Sequence, residues 1–326
     1  MRALPLKPFR FGFQAYNADS LVDWKAKARK AETLGFASFL LADHYIGPGP
    51  ALAATGHPVQ NIAAVPAMAV AAEATTSIKV GCRVMCVDYR NPVVLAKEMA
   101  TIDLFSEGRL ELGLGAGWLT GEYEAMGVTM DSPVVRIRRL ADVVRVVKAA
   151  MADGEVAVEG AAGVRAIGFE GVPKPVQRPH PPIMIGGGGR RVLQLAGREA
   201  DIVSINFNNA SGTLGPHSFA GATAAKTAEK VGWITEAANG RDIEIEIGGY
   251  LTIVTDEAAG TAAAIGARFA MEPADVLAHP HALIGSVDAI CDELQRRRES
   301  YGISYVTVGE AVADAFAPVV ERLTGT

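Results

Sequence analysis

Two short stretches of this 326-residue chain offer chemistry beyond packing. The first is Gly186-Gly187-Gly188-Gly189, which lies between the apolar run Pro182–Ile185 and a helix that begins near Arg190. Glycine lets the backbone approach a ligand closely, and a helix N-terminus presents unpaired N–H groups to a phosphate. Four glycines are more than a strand-to-helix turn requires, so the run reads as a phosphate cradle, with a tight turn as the plain alternative. The dinucleotide fingerprint is not met, because its third glycine would fall on Trp118 after Gly113-x-Gly115 and on Val192 after Gly187-x-Gly189. The second stretch is Asp43-His44, a carboxylate beside an imidazole at the end of an apolar run.

Other chemistries lack the residues they need. A Schiff-base aldolase requires a lysine at a strand end, but Lys79 opens its strand, and Lys97, Lys148, Lys226 and Lys230 fall in helices. A metal centre needs converging histidine and carboxylate ligands, and strand neighbours such as Asp43 and His44 point to opposite faces. His279-Pro280-His281 has no carboxylate companions and reads as a solvated loop, so no metal is expected. Neither G-x-S-x-G nor H-E-x-x-H occurs. Cys82, Cys86 and Cys291 are too few and too scattered for a disulfide framework, and Cys82 reads as packing rather than as a nucleophile.

The elements that must position these residues alternate along the chain. Strand candidates are Arg10–Tyr16, Ser38–Tyr45, Ile78–Cys86, Arg109–Gly117, Pro182–Gly186, Asp201–Asn206, Glu244–Thr255 and Ser304–Val308. Several are near-continuous apolar runs, as in strands covered on both faces. Helices between them show caps and apolar stripes. Leu21–Leu34 runs from Asp19-Ser20 to Gly35, Asn91-Pro92 opens another, Arg136–Met151 carries Ile137, Leu140, Val144 and Val147 on one face, and Ser286 caps Val287–Ser300. Eight strands with intervening helices predict an α/β fold, a (β/α)8 TIM barrel, in preference to a doubly wound open sheet. Glu155–Phe169 reads as a β-hairpin inserted before strand five, and Phe207–Gly221 as a long loop after strand six, a lid candidate. No linker divides the chain, so residues 1–326 read as a single barrel domain. Chemistry in a barrel sits where strands run into the following helices. Those ends carry Gln14 and Tyr16, Asp43 and His44, Cys82 to Val84, Gly115 to Trp118, Gly186 to Arg190, and Asn206.

Composition narrows the partners. The net charge is −5, without the broad positive field that a phosphate backbone requires, which excludes a nucleic-acid partner. Mean hydropathy is +0.19, yet the longest apolar run, Ile62–Ala72, is far short of the ~20 residues of a membrane span. Residues 1–10 lack the apolar segment of a secretory signal, so a reducing cytoplasm is the simplest compartment.

Taken in order, several motifs carry a family resemblance. They are Leu41-Ala42-Asp43-His44, Arg90-Asn91-Pro92 through Leu95-Ala96-Lys97-Glu98, Thr101-Ile102-Asp103, Ser106-Glu107-Gly108-Arg109, Gly113-Leu114-Gly115-Ala116-Gly117-Trp118, and Pro182-Ile183-Met184-Ile185 with the four glycines. Over essentially its whole length the chain resembles the bacterial-luciferase-like family of barrel oxidoreductases, in particular the members that use the deazaflavin coenzyme F420.

The resemblance implies a cofactor ring held in the barrel mouth. It places Asp43 and His44 beside the ring, with His44 hydrogen-bonding the ring edge or the substrate and assisting proton transfer as the catalytic residue. Gly81-Cys82-Arg83-Val84 matches a bulge that backs the ring in this family, where a non-proline cis peptide is common; by position the bond is Arg83–Val84. Cys82, Arg83, Val84, Gly115, Gly117, Trp118, Gly186, Gly187, Gly188, Gly189 and Arg190 are implied cofactor contacts. Trp118 stands where the family's sugar-phosphate dehydrogenases carry an acidic residue, so that substrate is not implied. It lines an apolar or aromatic substrate pocket or packs in the core. Glu122 or Glu124, just downstream, is a candidate to supply a carboxylate there, with a solvated surface position as the default reading for both. Gln14, Tyr16 and Asn206 are substrate-contact candidates. The implied activity is hydride transfer between F420 and a small organic substrate, a pairing that Asp43-His44 favours. Reduced-FMN-dependent monooxygenation on the same fold is the alternative, and a non-catalytic flavin-binding protein is a third reading. Family members are often homodimers, and the alanine-rich stretch Ala63–Ala72 would allow close helix approach.

Overall fold

The computed structural model describes residues 5–326. Eight parallel strands close on themselves. They are β1 (Arg10–Gln14), β2 (Ser38–Leu41), β3 (Lys79–Cys82), β4 (Leu110–Gly115), β5 (Ile183–Gly187), β6 (Ile202–Ile205), β7 (Glu244–Gly248) and β8 (Ile303–Gly309). Each pairs with its sequence neighbour, and β8 returns to β1 with Arg10 opposite Tyr305. This is the (β/α)8 barrel expected from the alternation of elements.

Strand alternation sorts the side chains. Phe11, Phe13, Phe39, Leu41, Leu110, Leu112 and Leu114 point outward into the apolar layer beneath the helices. The inward positions are mostly small or polar. Near the N-terminal ends of the strands, Arg10 bonds Glu244 at 2.8 Å and also meets Glu111, which accepts from the Tyr305 hydroxyl at 3.0 Å. One layer higher, the buried Arg83 pairs with Glu246 at 2.8 Å and reaches Gln14. The barrel is therefore filled from below by an ion-paired plug, and space opens only above it.

Helices start where the sequence supplies caps. Ser20, Asn91, Thr223 and Ser286 each accept a backbone N–H of the first turn. The hairpin lies where expected, as Glu155–Glu159 paired with Arg165–Glu170. Two expectations need correction. Glu244–Thr255 is not one strand: it breaks at Gly249-Tyr250, and Leu251–Val254 pairs instead with Ala282–Gly285 outside the barrel. The Gly249 N–H still continues the pairing with β8, donating to the Thr307 carbonyl at 2.8 Å, and the chain leaves the barrel only after it. His279 and His281 are not solvated either. Both are buried, donating to the carbonyls of Phe219 and Gly248.

The loop after β6 includes a short helix, Pro216–Ala220, and carries its own apolar cluster of Phe207, Phe219 and Ala222. It crosses to the opposite rim, where the Leu214 N–H donates to Thr55 at 2.7 Å. It thus forms part of a roof over the strand C-termini. No helix among the described residues is long and apolar enough to cross a membrane.

Candidate active site

A cavity of about 440 Å³ opens at the C-terminal ends of the strands, under that roof. Its wall unites residues from every part of the sequence reading: Gln14, Tyr16, Asp43, His44, Arg83, Val84, Gly115, Gly117, Trp118, the four glycines Gly186 to Gly189, and Asn206. The strand ends bring them together because all eight strands run in the same direction. Cys82 and Arg190 are the two exceptions. Cys82 lies behind the wall, where burial raises its thiol pKa. The Arg190 side chain is exposed and lies over Trp233 rather than in the cavity.

The floor is set by the interruption of β3. After Cys82 the chain bulges, with a cis peptide at Arg83–Val84, before pairing again through Met85 opposite Leu114. Val84 turns inward over three glycines. A Cβ on Gly115 would lie 2.6 Å from Val84, and one on Gly186 would lie 3.2 Å from it. On Gly113 it would lie 1.9 Å from the Cys82 carbonyl. Only glycine at these points lets the bulge enter the barrel.

The glycine run divides by the same test. A Cβ on Gly188 would meet the Phe207 carbonyl at 2.0 Å, so this residue is required by the turn. Gly189 is open, its nearest neighbour Asn208 Oδ1 at 3.9 Å. It is the N-cap of the helix Arg190–Glu199 and makes no side-chain capping bond. Packing thus explains Gly186 and Gly188. The open helix N-terminus is the feature suited to an anion.

Asp43 is committed to the protein. Arg90 clamps both its oxygens at 2.6 and 2.7 Å, while the Tyr45 hydroxyl and the Cys86 N–H supply further bonds at 2.8 and 2.9 Å. It fixes the loop that follows β2 and ties it to the bulged strand. The carboxylate that serves His44 is a different one. His44 Nδ1 lies 2.9 Å from Glu122 Oε2, on the short helix Thr120–Met126. Glu122 is completely buried, contrary to the expected solvated residue, and also accepts from the Tyr45 N–H and the Tyr89 hydroxyl. Burial pushes its pKa up, but the His44 interaction and these hydrogen bonds outweigh it, and the net shift is downward. An ionised Glu122 holds the proton of His44 on Nδ1, which leaves Nε2 in the cavity wall without a partner among the described residues.

An aromatic group surrounds this imidazole. The His57 ring lies 3.9 Å from that of His44, and Trp118 is 6.1 Å from His44 and 5.8 Å from His57. His57 Nδ1 donates to the Pro58 carbonyl at 2.8 Å. Burial, reinforced by His44, lowers its pKa to about 4, so it is neutral. Tyr16 stays protonated because burial raises its pKa. On the far side, Asn206 is anchored by the Tyr250 hydroxyl at 3.0 Å and, through its carbonyl, by Lys230 at 2.7 Å. His57 and Arg90 were absent from the site read in the sequence, and Glu122 entered it only as an alternative to a surface position. Arg90 stands in a quoted motif, but nothing local marks Glu122 or His57 as partners of a residue 78 or 13 positions away.

The arrangement can move a proton at His44 Nε2 and bind a flat ligand between Val84 and the aromatic group. The family model for luciferase-like monooxygenases matches residues 6–270. The chain is 34% identical to an FMNH2-dependent dimethylsulfone monooxygenase of Pseudomonas putida over 122 residues, 37% of this chain and 33% of that protein. It is 30% identical to an F420-dependent glucose-6-phosphate dehydrogenase of Amycolatopsis mediterranei over 177 residues, 53% of this chain and 50% of that one. The chain thus spans between a third and a half of the length of these curated relatives. The coenzyme F420 dependent tetrahydromethanopterin reductase from Methanopyrus kandleri superposes with a TM-score of 0.73 at 18% identity, covering 97% of this chain and 98% of that one.

Proposed function

The chain belongs to the luciferase-like monooxygenase family, and from that premise we propose that it is an oxidoreductase exchanging a hydride between coenzyme F420 and a small organic substrate. The observation that carries this reading is the His44–Glu122 pair, held in the same cavity as the Val84 bulge and the open helix N-terminus at Gly189. A planar ring with an anionic tail fits these features. Val84 offers a smooth apolar face, and the uncapped N–H groups after Gly189 suit negative charge. When bound, the deazaflavin would supply or accept the hydride.

The residues of the chain would do the rest. Glu122 keeps the imidazole oriented and its Nδ1 protonated, so that proton exchange with the substrate is confined to Nε2. Arg90 and Asp43 hold the loop from which His44 projects. The roof formed by residues 207–221 limits water around the reacting groups.

The similarity to an FMNH2-dependent enzyme favours a second reading, monooxygenation with reduced FMN. Equilibrium titration of the purified protein with each cofactor, followed by cofactor fluorescence, separates the two. Saturable binding of F420 with weak or no binding of FMN is expected. Preference for FMN would transfer the assignment to the second reading.

A further inference from the structure

Away from the imidazoles, the cavity wall holds hydrogen-bond donors that the protein leaves unused. Arg83 is almost fully buried. Its Nε faces Glu246 at 2.8 Å and its Nη1 reaches Gln14 Oε1 at 3.4 Å, but Nη2 has no hydrogen-bond partner among the described residues. A buried guanidinium N–H left unpaired is costly unless a ligand meets it. Because Gln14 Oε1 is turned to Arg83, the amide nitrogen is what Gln14 offers the cavity. Asn206 is oriented in the same sense. Its Oδ1 accepts from the Phe207 N–H at 2.8 Å and the Tyr250 hydroxyl at 3.0 Å, which leaves the amide N–H groups free. Tyr250 crowds Arg83: a Cβ on Gly248 would lie 2.8 Å from Nη2 and 2.7 Å from the Tyr250 ring. Tyr250 is 40% exposed, and its hydroxyl is tied to Asn206, so it is the side chain able to yield to a ligand.

Charge points the same way. Elsewhere in the wall the charges are taken up: Arg90 clamps Asp43, Glu122 faces His44, and Arg136 is directed to the carbonyls of Asp131, Ala116 and Gly117. Around Asn206 the balance is positive. Arg83 is paired with Glu246, but the buried Lys230 donates to the Asn206 carbonyl at 2.7 Å and has no carboxylate partner among the described residues. Burial lowers the Lys230 pKa to about 8, so it is mostly protonated at neutrality. Free N–H donors beside one cation in excess are the complement of a carboxylate.

We propose that Arg83, Gln14 and Asn206 form a carboxylate-binding subsite, which selects a small organic acid as the substrate. The carboxylate accepts from the amides of Asn206 and Gln14 and, once Tyr250 turns aside, from Arg83 Nη2. The apolar remainder extends past Tyr16, whose ring lies 6.5 Å from that of His57, toward Trp118 and His44. The inference rests on the reading of the cavity as a redox site and names its substrate class. Arg83 is a specificity residue here: it holds the anchoring group and does not touch the reacting carbon.

Calorimetric titration with benzoate and with its neutral analogue benzamide, on the free and the F420-loaded protein at fixed ionic strength, tests this. The wild-type protein is expected to bind benzoate saturably in both states, about tenfold more tightly than benzamide. Asn206→Asp keeps the oxygen that Phe207 and Tyr250 use but puts a negative charge in place of the amide nitrogen. It should weaken benzoate binding about tenfold or more while leaving benzamide within about twofold. Arg83→Met combined with Glu246→Gln removes both charges of the pair together and should also cost benzoate more than benzamide; if that variant does not fold, Asn206→Asp decides. The inference is overturned by benzamide binding at least as tightly as benzoate, by equal losses for the two ligands in Asn206→Asp, or by no saturable benzoate binding. Displacement of benzoate on loading F420 would also overturn it, because the donors would then serve the cofactor. Benzoate binding with the expected variant pattern, but no F420 binding, would instead overturn the cofactor assignment alone.

Discussion

Glu122 decides how His44 behaves. The imidazole has two nitrogens, and the buried carboxylate chooses between them by accepting from Nδ1 at 2.9 Å. Replacement by glutamine keeps the size of the side chain but removes the charge. Glu122→Gln is expected to lower kcat about a hundredfold with little change in cofactor affinity, measured by steady-state kinetics with the cofactor that binds. The same variant has a stability signature. The folded carboxyl titrates below the ordinary value of 4.5, so its contribution is complete above that value and fades as pH falls through the folded pKa. Urea midpoints of the wild type should therefore exceed those of Glu122→Gln near neutrality and converge with them in acid. A gap independent of pH would show that the carboxylate is not held as an anion. The sequence revealed His44 because an imidazole at a strand end is chemically conspicuous. It concealed Glu122 because a glutamate on a short polar helix looks like surface until the helix is folded over the loop after β2.

At the scale of elements, the site depends on two places where backbone approaches backbone. One is the bulge of β3 over Gly113 and Gly115; the other is the turn from β5 into the helix Arg190–Glu199. The turn makes a prediction about neighbours. In Gly188→Ala the new Cβ would lie 2.0 Å from the Phe207 carbonyl, and the backbone has to move. A loss of about 1–3 kcal/mol is expected, visible as a drop of several degrees in Tm. Gly189→Ala meets only Asn208 Oδ1, at 3.9 Å, from a backbone with φ −96°, and should melt within about 0.5 kcal/mol of the wild type. Equal effects at the two positions would contradict this division of the glycine run. The run itself was legible as a break between apolar strand and helix. Which glycine serves packing and which is open was not, because the Phe207 carbonyl comes from the next strand's loop. The broken seventh strand was hidden for a related reason. Leu251–Val254 has the same apolar character as the barrel strand before it, and only its pairing with Ala282–Gly285 separates them.

At the scale of the molecule, the barrel is closed below by buried ion pairs and covered above by the loop after β6, so the cavity is confined to the strand C-termini. The eight strands and the hairpin could be read from apolar runs bounded by turns, because those patterns are local. The polar plug could not, since Arg10, Glu111 and Glu244 are far apart in sequence and meet only after closure. The same closure makes one prediction: if the proposed function holds, the His44 imidazole and the helix terminus after Gly189 must touch one molecule. A crystal structure of the protein with F420 measures this directly. The account predicts the deazaflavin ring between Val84 and the His44–Trp118 group, within hydrogen-bonding or van der Waals reach of His44 Nε2, with its anionic tail at the N–H groups that follow Gly189. A ring bound outside this cavity, or a tail directed away from Gly189 with His44 left untouched, would contradict it.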